Sequence, residues 1–275
     1  MSTGKRIVMI AVAVFLVLLI IGPWIAPQDP NLTATADKLQ GPSTAHWLGT
    51  DDLGRDVFSR ILTGGLTTVG LSAMALGISI LIGVPLGLLS GYLGGRTDWA
   101  LMRVVDIFLA LPEYIVAMII TGLMGQGFGN LLLAILIIKW VGYTRLARSV
   151  VMQEKAKDYL MVSTISGAST VSIVRRHLLP HIVGPVMALA TVDIGKVILL
   201  VASLSYLGLG VQLPSAEWGA MLNEAQMFFT QAPHLMVAPG LAIFLVVCAA
   251  NWLGDQLQSL YAISGERKEE TGVAA

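Results

Sequence analysis

The sequence predicts an all-α, polytopic integral membrane protein with six transmembrane helices and one long cytoplasmic loop. Of its 275 residues, 55% are hydrophobic and only 12% are charged, and the mean hydropathy is +0.77. These values lie outside the range of soluble globular domains. Several apolar runs also have the length of about 20 residues that a helix needs to cross a bilayer.

The first apolar run, residues 7–25, directly follows Lys5 and Arg6. A cleaved signal peptide would have a shorter apolar core and a small-x-small cleavage site, and none occurs before Pro27. We therefore predict an uncleaved transmembrane helix within residues 1–25, with a cytoplasmic start.

Residues 26–65 are polar and rich in turn-forming residues, which predicts an extracytoplasmic loop. Thr50 or Asp51 is expected to cap a short helix from Val57 to Leu62, and Gly54 permits close backbone approach. The loop's aspartates lack the spacing of an EF-hand calcium site, so solvated caps and salt bridges are expected. These aspartates are Asp29, Asp37, Asp51, Asp52 and Asp56.

Residues 66–260 are predicted to form a core of five further membrane helices. The second span, 66–93, contains no charged residue, and Pro85 is expected to kink it. Its glycines predict close helix packing within lipid; they are Gly70, Gly77, Gly83, Gly87 and Gly91. The remaining spans are placed at 101–124, 130–145, 182–207 and 234–253. An amphipathic segment, 218–229, is expected to lie along the outer membrane surface.

The distribution of lysine and arginine predicts the orientation. Six crossings place both termini, including a charged tail at 261–275, in the cytoplasm. Twelve of the 17 basic residues then lie inside, whereas Lys38, Arg55 and Arg60 lie outside. This excess agrees with the positive-inside rule.

Residues 154–181 form the one long polar interruption in the apolar second half of the chain. Apolar residues at helical spacing predict two short helices. Gly167 is expected to end the first, Ser169 to cap the second and Pro180 to stop it. The segment is net basic, which favours a cytoplasmic docking element. Taken alone, it also suits a basic amphipathic hairpin on the membrane surface.

Four charged residues fall near the bilayer midplane: Glu113, Lys139, Asp193 and Lys196. Isolated charges there cost several kcal/mol, so they should pair or face water. One hypothesis is that Glu113 and Asp193 line a translocation pathway for a cationic or amine-bearing solute, and the other is mutual neutralisation by the two lysines. Asp106 is expected to pair locally with Arg103.

Several classes of site and partner are excluded by the sequence pattern. Neither Gly4-Lys5 nor Gly195-Lys196 has the context of a phosphate-binding loop, and the zero net charge gives no nucleic-acid footprint. Cys248 is the single cysteine, and it is interpreted as a small buried hydrophobe. His46, His177, His181 and His234 are scattered over both sides of the membrane, so no zinc site is expected. No cofactor, metal site or catalytic residue is predicted.

Three stretches resemble the permease subunits of dipeptide, oligopeptide and nickel ABC importers. They are HWLGTDDLGRDVFSRI at 46–61, the segment 154–181, and SYLGLGVQLPSAEWGAML at 205–222. In 154–181, Gly167, Leu179 and Pro180 match the motif of the cytoplasmic coupling loop, whereas Met161, Val162 and Ser163 replace its Glu-Ala-Ala. The ATPase-coupling residues that the resemblance implies are Asp158, Tyr159, Ser163, Gly167, Ala168, Leu179 and Pro180.

The resemblance also implies a set of partners. They are a homologous permease subunit, two ATP-binding subunits that hydrolyse ATP, an extracytoplasmic substrate-binding protein and the lipid of a bacterial inner membrane. The run Asp193-Ile194-Gly195 is more similar to nickel-type members, so nickel or a metal chelate is the expected substrate and di- or oligopeptides are the alternative. An autonomous channel or ion-coupled carrier, or a membrane sensor, remains a further hypothesis. A channel or carrier would need no ATPase.

Overall fold

The computed structural model describes residue 14 and residues 17–273, except for the side chains of residue 164 and of residues beyond 256. Its regular structure is helical, and the described residues contain no strand beyond an isolated bridge between Thr50 and Asp56. The predicted all-α fold class is confirmed. Residues 17–25 form the first helix, α1. The rest of the first predicted span, with Lys5 and Arg6, lies outside the described residues.

Nine further α-helices follow α1 in the described part of the chain. In order they are α2 (Val57–Leu93), α3 (Gly95–Leu109), α4 (Glu113–Met124), α5 (Phe128–Lys155), α6 (Asp158–Ile165), α7 (Thr170–Ile173), α8 (Leu179–Tyr206), α9 (Trp218–Ala225) and α10 (His234–Val273).

Four helical stretches within the described residues are long and apolar enough to cross a membrane. They are Val57–Leu93, Phe128–Lys155, Thr170–Tyr206 and His234–Gln256. Helices α3 and α4 meet the same criterion only as a pair that is bent by 87°. Four or five spans, together with the first apolar run, are compatible with six crossings.

The third span is not the single helix that the sequence predicted for residues 101–124. Pro112 has no amide hydrogen, and its ring disfavours helical backbone at Leu111. Helix α3 therefore ends at Leu109, and α4 begins at Glu113 after a sharp bend. The carbonyl of Pro112 then accepts hydrogen bonds from the amides of Ile115 and Val116 in the first turn of α4.

Helix α2 begins nine residues before the predicted second span. Asp56 caps it, because its carboxylate accepts a 2.8 Å hydrogen bond from the amide of Ser59. The prediction of a cap at Thr50 or Asp51 and of a separate helix ending at Leu62 was wrong. The helix continues through Gly64 and Gly65, where the ring of Trp218 packs against the glycine faces. The polar loop consequently ends at Asp56.

The polar segment 154–181 also differs from the prediction at its second helix. Gly167 has a φ of 81° after α6, and the Ser169 hydroxyl accepts a hydrogen bond from the amide of Ser172, as predicted. Pro180, however, does not stop the second helix. A π-helical turn (Val174–Leu178) joins α7 to α8, and the amide of Leu179 bonds to the carbonyl of Val174. This wider turn accommodates the proline ring, which clashes with the carbonyl of residue i−4 in a regular α-helix.

Other helices also extend beyond their predicted ends. Helix α5 continues to Lys155, ten residues past its predicted end, and α10 continues to Val273 through the predicted tail.

The chain forms two compact units. The first comprises the described residues up to Ala73 together with Met118–Leu132 and Gly195–Ala249, and the second comprises Met74–Ala117, Leu133–Ile194 and the chain from Ala250. The boundaries between the two units fall inside several helices.

Within the second unit, α2 packs against α5 through three glycines four residues apart. A Cβ atom at Gly83 would lie 2.4 Å from the carbonyl oxygen of Trp140, and one at Gly87 would lie 2.2 Å from that of Thr144. A Cβ atom at Gly91 would lie 2.9 Å from the Cβ atom of Val151. Such small-residue contacts replace the hydrophobic driving force that lipid does not provide. Gly70 and Gly77 do not take part, because a Cβ atom at either would meet no described atom within 4 Å.

We predict that Gly87→Ala destabilises the protein, whereas Gly77→Ala on the same helix does not. The added methyl of Gly87→Ala overlaps the backbone of Thr144, and overpacking of this kind costs about 1–3 kcal/mol. Thermal unfolding of the purified chain in detergent measures the difference. Equal melting temperatures for the two variants would contradict the packing described above.

Candidate functional site

The first candidate site is an ion pair between Glu113 and Lys139. Glu113 is the first residue of α4, directly after the bend at Pro112, and Lys139 lies in the middle of α5. The ammonium of Lys139 is 2.7 Å from a carboxylate oxygen of Glu113. The lysine side chain is only 5% exposed, whereas that of Glu113 is 49% exposed. The pair neutralises the buried lysine and leaves part of the carboxylate accessible.

Asp193 has a different partner. The hydroxyl of Tyr143 on α5 donates a 3.2 Å hydrogen bond to its carboxylate, and Asp193 lies on α8. Lys196 lies one turn further along α8, is exposed and belongs to the first unit. Of the four candidate pathway residues, Glu113 and Lys139 thus pair with each other. Asp193 contacts Tyr143, a residue that the sequence analysis had not singled out.

The charges at the predicted cytoplasmic ends of the spans pair between helices. Asp98 of α3 accepts hydrogen bonds from Arg148 of α5 and from Ser90 of α2. Asp106 binds Arg145 of α5 rather than Arg103, so the expected local i+3 pair was wrong. A carboxylate can reach an arginine on a crossing helix when the two helices pack face to face, and sequence spacing does not show this.

Residues 154–181, called the coupling segment after the role that the sequence predicts for them, are largely exposed and partly apolar. Asp158 begins α6 and is exposed, Ser163 and Ala168 are half-buried, and Leu179 and Pro180 are exposed at the start of α8. Large apolar side chains point outward beside them: Met161, Val162, Ile165 and Val171. An unpartnered surface of this composition is typical of a protein interface.

A basic cleft adjoins this exposed surface. It has a volume of about 480 Å³ and is lined by Ser169, Val171, Ser172, Arg175 and Arg176. Both arginines are exposed. The segment therefore presents apolar side chains next to positive charge.

The coupling segment is fixed by Glu154, which the sequence analysis did not identify as a site residue. This carboxylate is buried at the end of α5. It accepts hydrogen bonds from the hydroxyl of Tyr159 and, at 2.7 Å, from the ammonium of Lys157. The ring nitrogen Nε2 of His181 lies 3.8 Å away. One carboxylate thereby connects α5 to α6 and to the start of α8.

Tyr159 completes this connection through its ring. The ring centroid lies 5.6 Å from that of His177 and 6.4 Å from that of His181. Burial, reinforced by the hydrogen bond to Glu154, raises the pKa of Tyr159 to about 12. The hydroxyl consequently stays protonated at physiological pH and remains a donor. The i+3 spacing of Glu154 and Lys157 was the sequence signal that could have indicated the pair.

The loop before α2 carries a buried ionic cluster within the first unit. Arg55 donates to Asp51 at 2.6 Å and to Glu224 at 2.5 Å, and Arg60 lies 3.4 Å from Glu224. The two arginine side chains are 2% and 1% exposed, so the expected salt bridge at Asp51 is present, but it is buried and not solvated. Burial raises the pKa of Glu224 against the opposing effect of the arginines. Such a cluster fixes geometry more than it adds stability.

Three carboxylates of this region, those of Asp51, Asp52 and Glu224, lie close enough together to suit a metal ion. Arg55 and Arg60 already neutralise Asp51 and Glu224, so the arrangement is explained by ion pairing.

The first part of the predicted surface helix at 218–229, α9, packs inside the first unit, whereas Met227 and Phe229 are exposed. Helix α9 buries Trp218, whose indole nitrogen donates a 2.9 Å hydrogen bond to the carbonyl of Ile61. The buried Glu217 carboxylate caps the helix by accepting from the amides of Gly219 and Ala220, and also from the hydroxyl of Thr68. Amphipathicity identified the helix, but it does not distinguish a membrane surface from a neighbouring helix as the partner.

Comparison with known proteins gives one family. Residues 83–262 match the model of the binding-protein-dependent transport system inner membrane component. The nickel transport system permease protein NikC of Escherichia coli K12 is 37% identical over 92% of this chain and 91% of its own length. The glutathione transport system permease protein GsiD of Pectobacterium atrosepticum is 41% identical over 92% of this chain and 86% of its own.

A solved structure supports the fold. The crystal structure of an amino acid ABC transporter with histidines gives a TM-score of 0.58 at 13% identity, and the match covers 73% of this chain and 93% of the other.

Proposed function

We infer that this chain, which belongs to the family of binding-protein-dependent transport system inner membrane components, forms the translocation pathway of an ATP-driven importer for nickel or a metal chelate. The observation that carries the transport role is the similarity to permease proteins. Each match extends over 92% of this chain and over more than four fifths of the relative's length. The matched relatives are transporter permease subunits, and the chain is a multi-pass component of the inner membrane.

Partner subunits are proposed to supply ATP hydrolysis, the second half of the pathway and the capture of the solute. No phosphate-binding loop is present, so we assign ATP hydrolysis to two separate ATP-binding subunits. A homologous permease completes the pathway, and an extracytoplasmic binding protein delivers the solute. The exposed apolar and basic surface of the coupling segment supports an ATPase contact. With that segment inside, the positive-inside rule places both termini in the cytoplasm.

The coupling residues are proposed to act at this contact. Asp158, Tyr159 and Ser163 on α6, Gly167 and Ala168 in the turn, and Leu179 and Pro180 on α8 would follow the ATPase subunits as they rock. Glu154 would pass the movement to α5 and α8, because it contacts residues on both sides of the turn. The rearrangement of the spans gives alternating access.

Glu113 and Asp193 are proposed to line the pathway near Lys139 and Lys196. Their acidic side chains suit a cation. Nickel is placed first because the run Asp193-Ile194-Gly195 is more similar to nickel-type members, and a nickel permease is among the relatives that match 92% of the chain. Peptides are the second candidate, because the glutathione permease is 41% identical and the ammonium of a peptide would suit the same carboxylates.

The proposed function is tested by reconstituting the complete complex with both permeases, both ATPases and the binding protein in proteoliposomes. We expect ATP-dependent uptake of nickel or of a nickel chelate to exceed that of dipeptides. Uptake of dipeptides without uptake of nickel or its chelate would show that peptides, and not nickel, are the substrate. Uptake of none of the three solutes would overturn both substrate assignments.

We expect Asp193→Asn to lower transport in the complete complex while ATP hydrolysis continues. The change removes one negative charge and keeps an acceptor for the Tyr143 hydroxyl. Uptake rates and thermal stability should be measured on the same preparations. Intact transport with a reduced melting temperature would show that Asp193 serves packing and does not line the pathway.

We expect Tyr159→Phe to lower the amount of solute moved per ATP hydrolysed. The variant keeps the ring beside His177 and His181 but removes the hydroxyl that donates to Glu154. Tyr206→Phe is the matched control, since no hydrogen bond of the Tyr206 hydroxyl is found in the described structure. An unchanged ratio of transport to hydrolysis in Tyr159→Phe would contradict the role of Glu154.

A further inference from the structure

We propose that α3 lies in the membrane–water boundary on the side of the coupling segment, and that its outward face binds the headgroup layer of anionic lipids. This outer face of α3 consists of Arg96, Trp99, Arg103 and Ile107. The inference goes beyond the proposed transport role, and it does not depend on the substrate.

The orientation of α3 follows from its two ion pairs with α5. Asp98 and Asp106 are separated by eight residues, about 12 Å of helix, but their partners Arg148 and Arg145 are separated by only three residues, about 4.5 Å. In a parallel or antiparallel pair the two separations would be similar, within the reach of the arginine side chains. Helix α3 therefore crosses α5 at a steep angle, and since α5 crosses the membrane, α3 lies closer to the membrane plane than to its normal.

The depth of α3 follows from the length of α5. Arg148 comes 20 residues after Phe128, the first residue of α5. At 1.5 Å per residue this distance is about 30 Å, which is the thickness of the hydrocarbon core. The ion pairs that hold α3 consequently lie at the boundary next to the coupling segment. The 12-residue α4 follows α3 after the 87° bend, and its first residue, Glu113, reaches Lys139 in the middle of α5.

The two faces of α3 have different environments. Val105 is fully buried and lies on the same side as Asp98, which binds α5. On the opposite side, the outer face follows the helical spacing of three and four residues. Trp99 and Ile107 are each 63% exposed.

The charge on the outer face is positive. Both acidic groups of α3 bind arginines of α5. Arg96 and Arg103 are exposed, and the guanidinium carbon of Arg103 lies 5.5 Å from the centre of the Trp99 ring. Tryptophan is enriched at membrane interfaces, and basic side chains there attract anionic lipids. An outward surface of arginine, tryptophan and isoleucine therefore fits an anionic leaflet by charge and by polarity.

The depth of Trp99 can be measured by fluorescence quenching in nanodiscs. Lipids with bromine near the headgroup end of the acyl chain should quench Trp99 more strongly than lipids with bromine near the chain terminus. The Trp99 signal is the difference between the full chain and Trp99→Phe. Trp47→Phe provides a matched control, since Trp47 is 61% exposed in the loop before α2. Equal quenching of Trp99 at both depths would contradict a boundary position.

The lipid preference is tested in mixed nanodiscs in which either phosphatidylglycerol or phosphatidylcholine is brominated. We expect phosphatidylglycerol to be enriched around Trp99, and the enrichment to fall about fivefold for each arginine lost in Arg96→Gln and Arg103→Gln. Quenching without any preference for phosphatidylglycerol would overturn the proposal. In the complete complex, absent lipid quenching together with cross-linking of a Trp99→Cys variant to the other permease would assign this face to a subunit interface.

Discussion

The arrangement of the second unit depends on how closely α2 and α5 approach each other. Inside lipid, apolar side chains gain nothing by leaving one hydrocarbon surface for another, so helices associate through close packing and polar contacts. Gly83, Gly87 and Gly91 remove the side chains that would hold the two backbones apart. The contact fixes α5, and α5 then provides the partners for several other elements.

Each of these elements contacts α5 at a different level. Toward the coupling segment, Glu154 connects α6 and the start of α8. Arg148 and Arg145 bind α3, and Lys139 binds the first residue of α4. Glu154 and Lys139 are buried, and a charge that is buried without its partner is strongly disfavoured. A displacement of the coupling segment would therefore be transmitted to α5 rather than absorbed locally. This is the physical basis on which we assign ATPase coupling to that segment.

The sequence predicted the features that follow from local chemistry. Apolar length predicted the four long apolar helices, Gly167 predicted a left-handed turn, and Ser169 predicted a cap. It did not predict the outcome where two local rules compete. Pro112 broke a helix, whereas Pro180 was accommodated by a π-helical turn. The difference arises from the backbone around each proline.

The pairing of charges was less accessible to sequence reasoning. Glu113 and Lys139 are 26 residues apart, and Arg55 and Glu224 are 169 residues apart. Their contacts arise from helix packing, so spacing alone left several pairings open. The amphipathic pattern of residues 218–229 likewise identified an apolar face but not the helix that covers it. Lining of the pathway by Glu113 and Asp193 stays a prediction.

We propose that this chain conducts solute only when separate subunits hydrolyse ATP. The most direct measurement compares solute uptake by proteoliposomes that contain the chain alone with uptake by those that contain the complete complex, with and without ATP. We expect uptake only by the complete complex and only with ATP. Equal uptake by the chain alone, without any nucleotide, would contradict it and would indicate a channel or carrier.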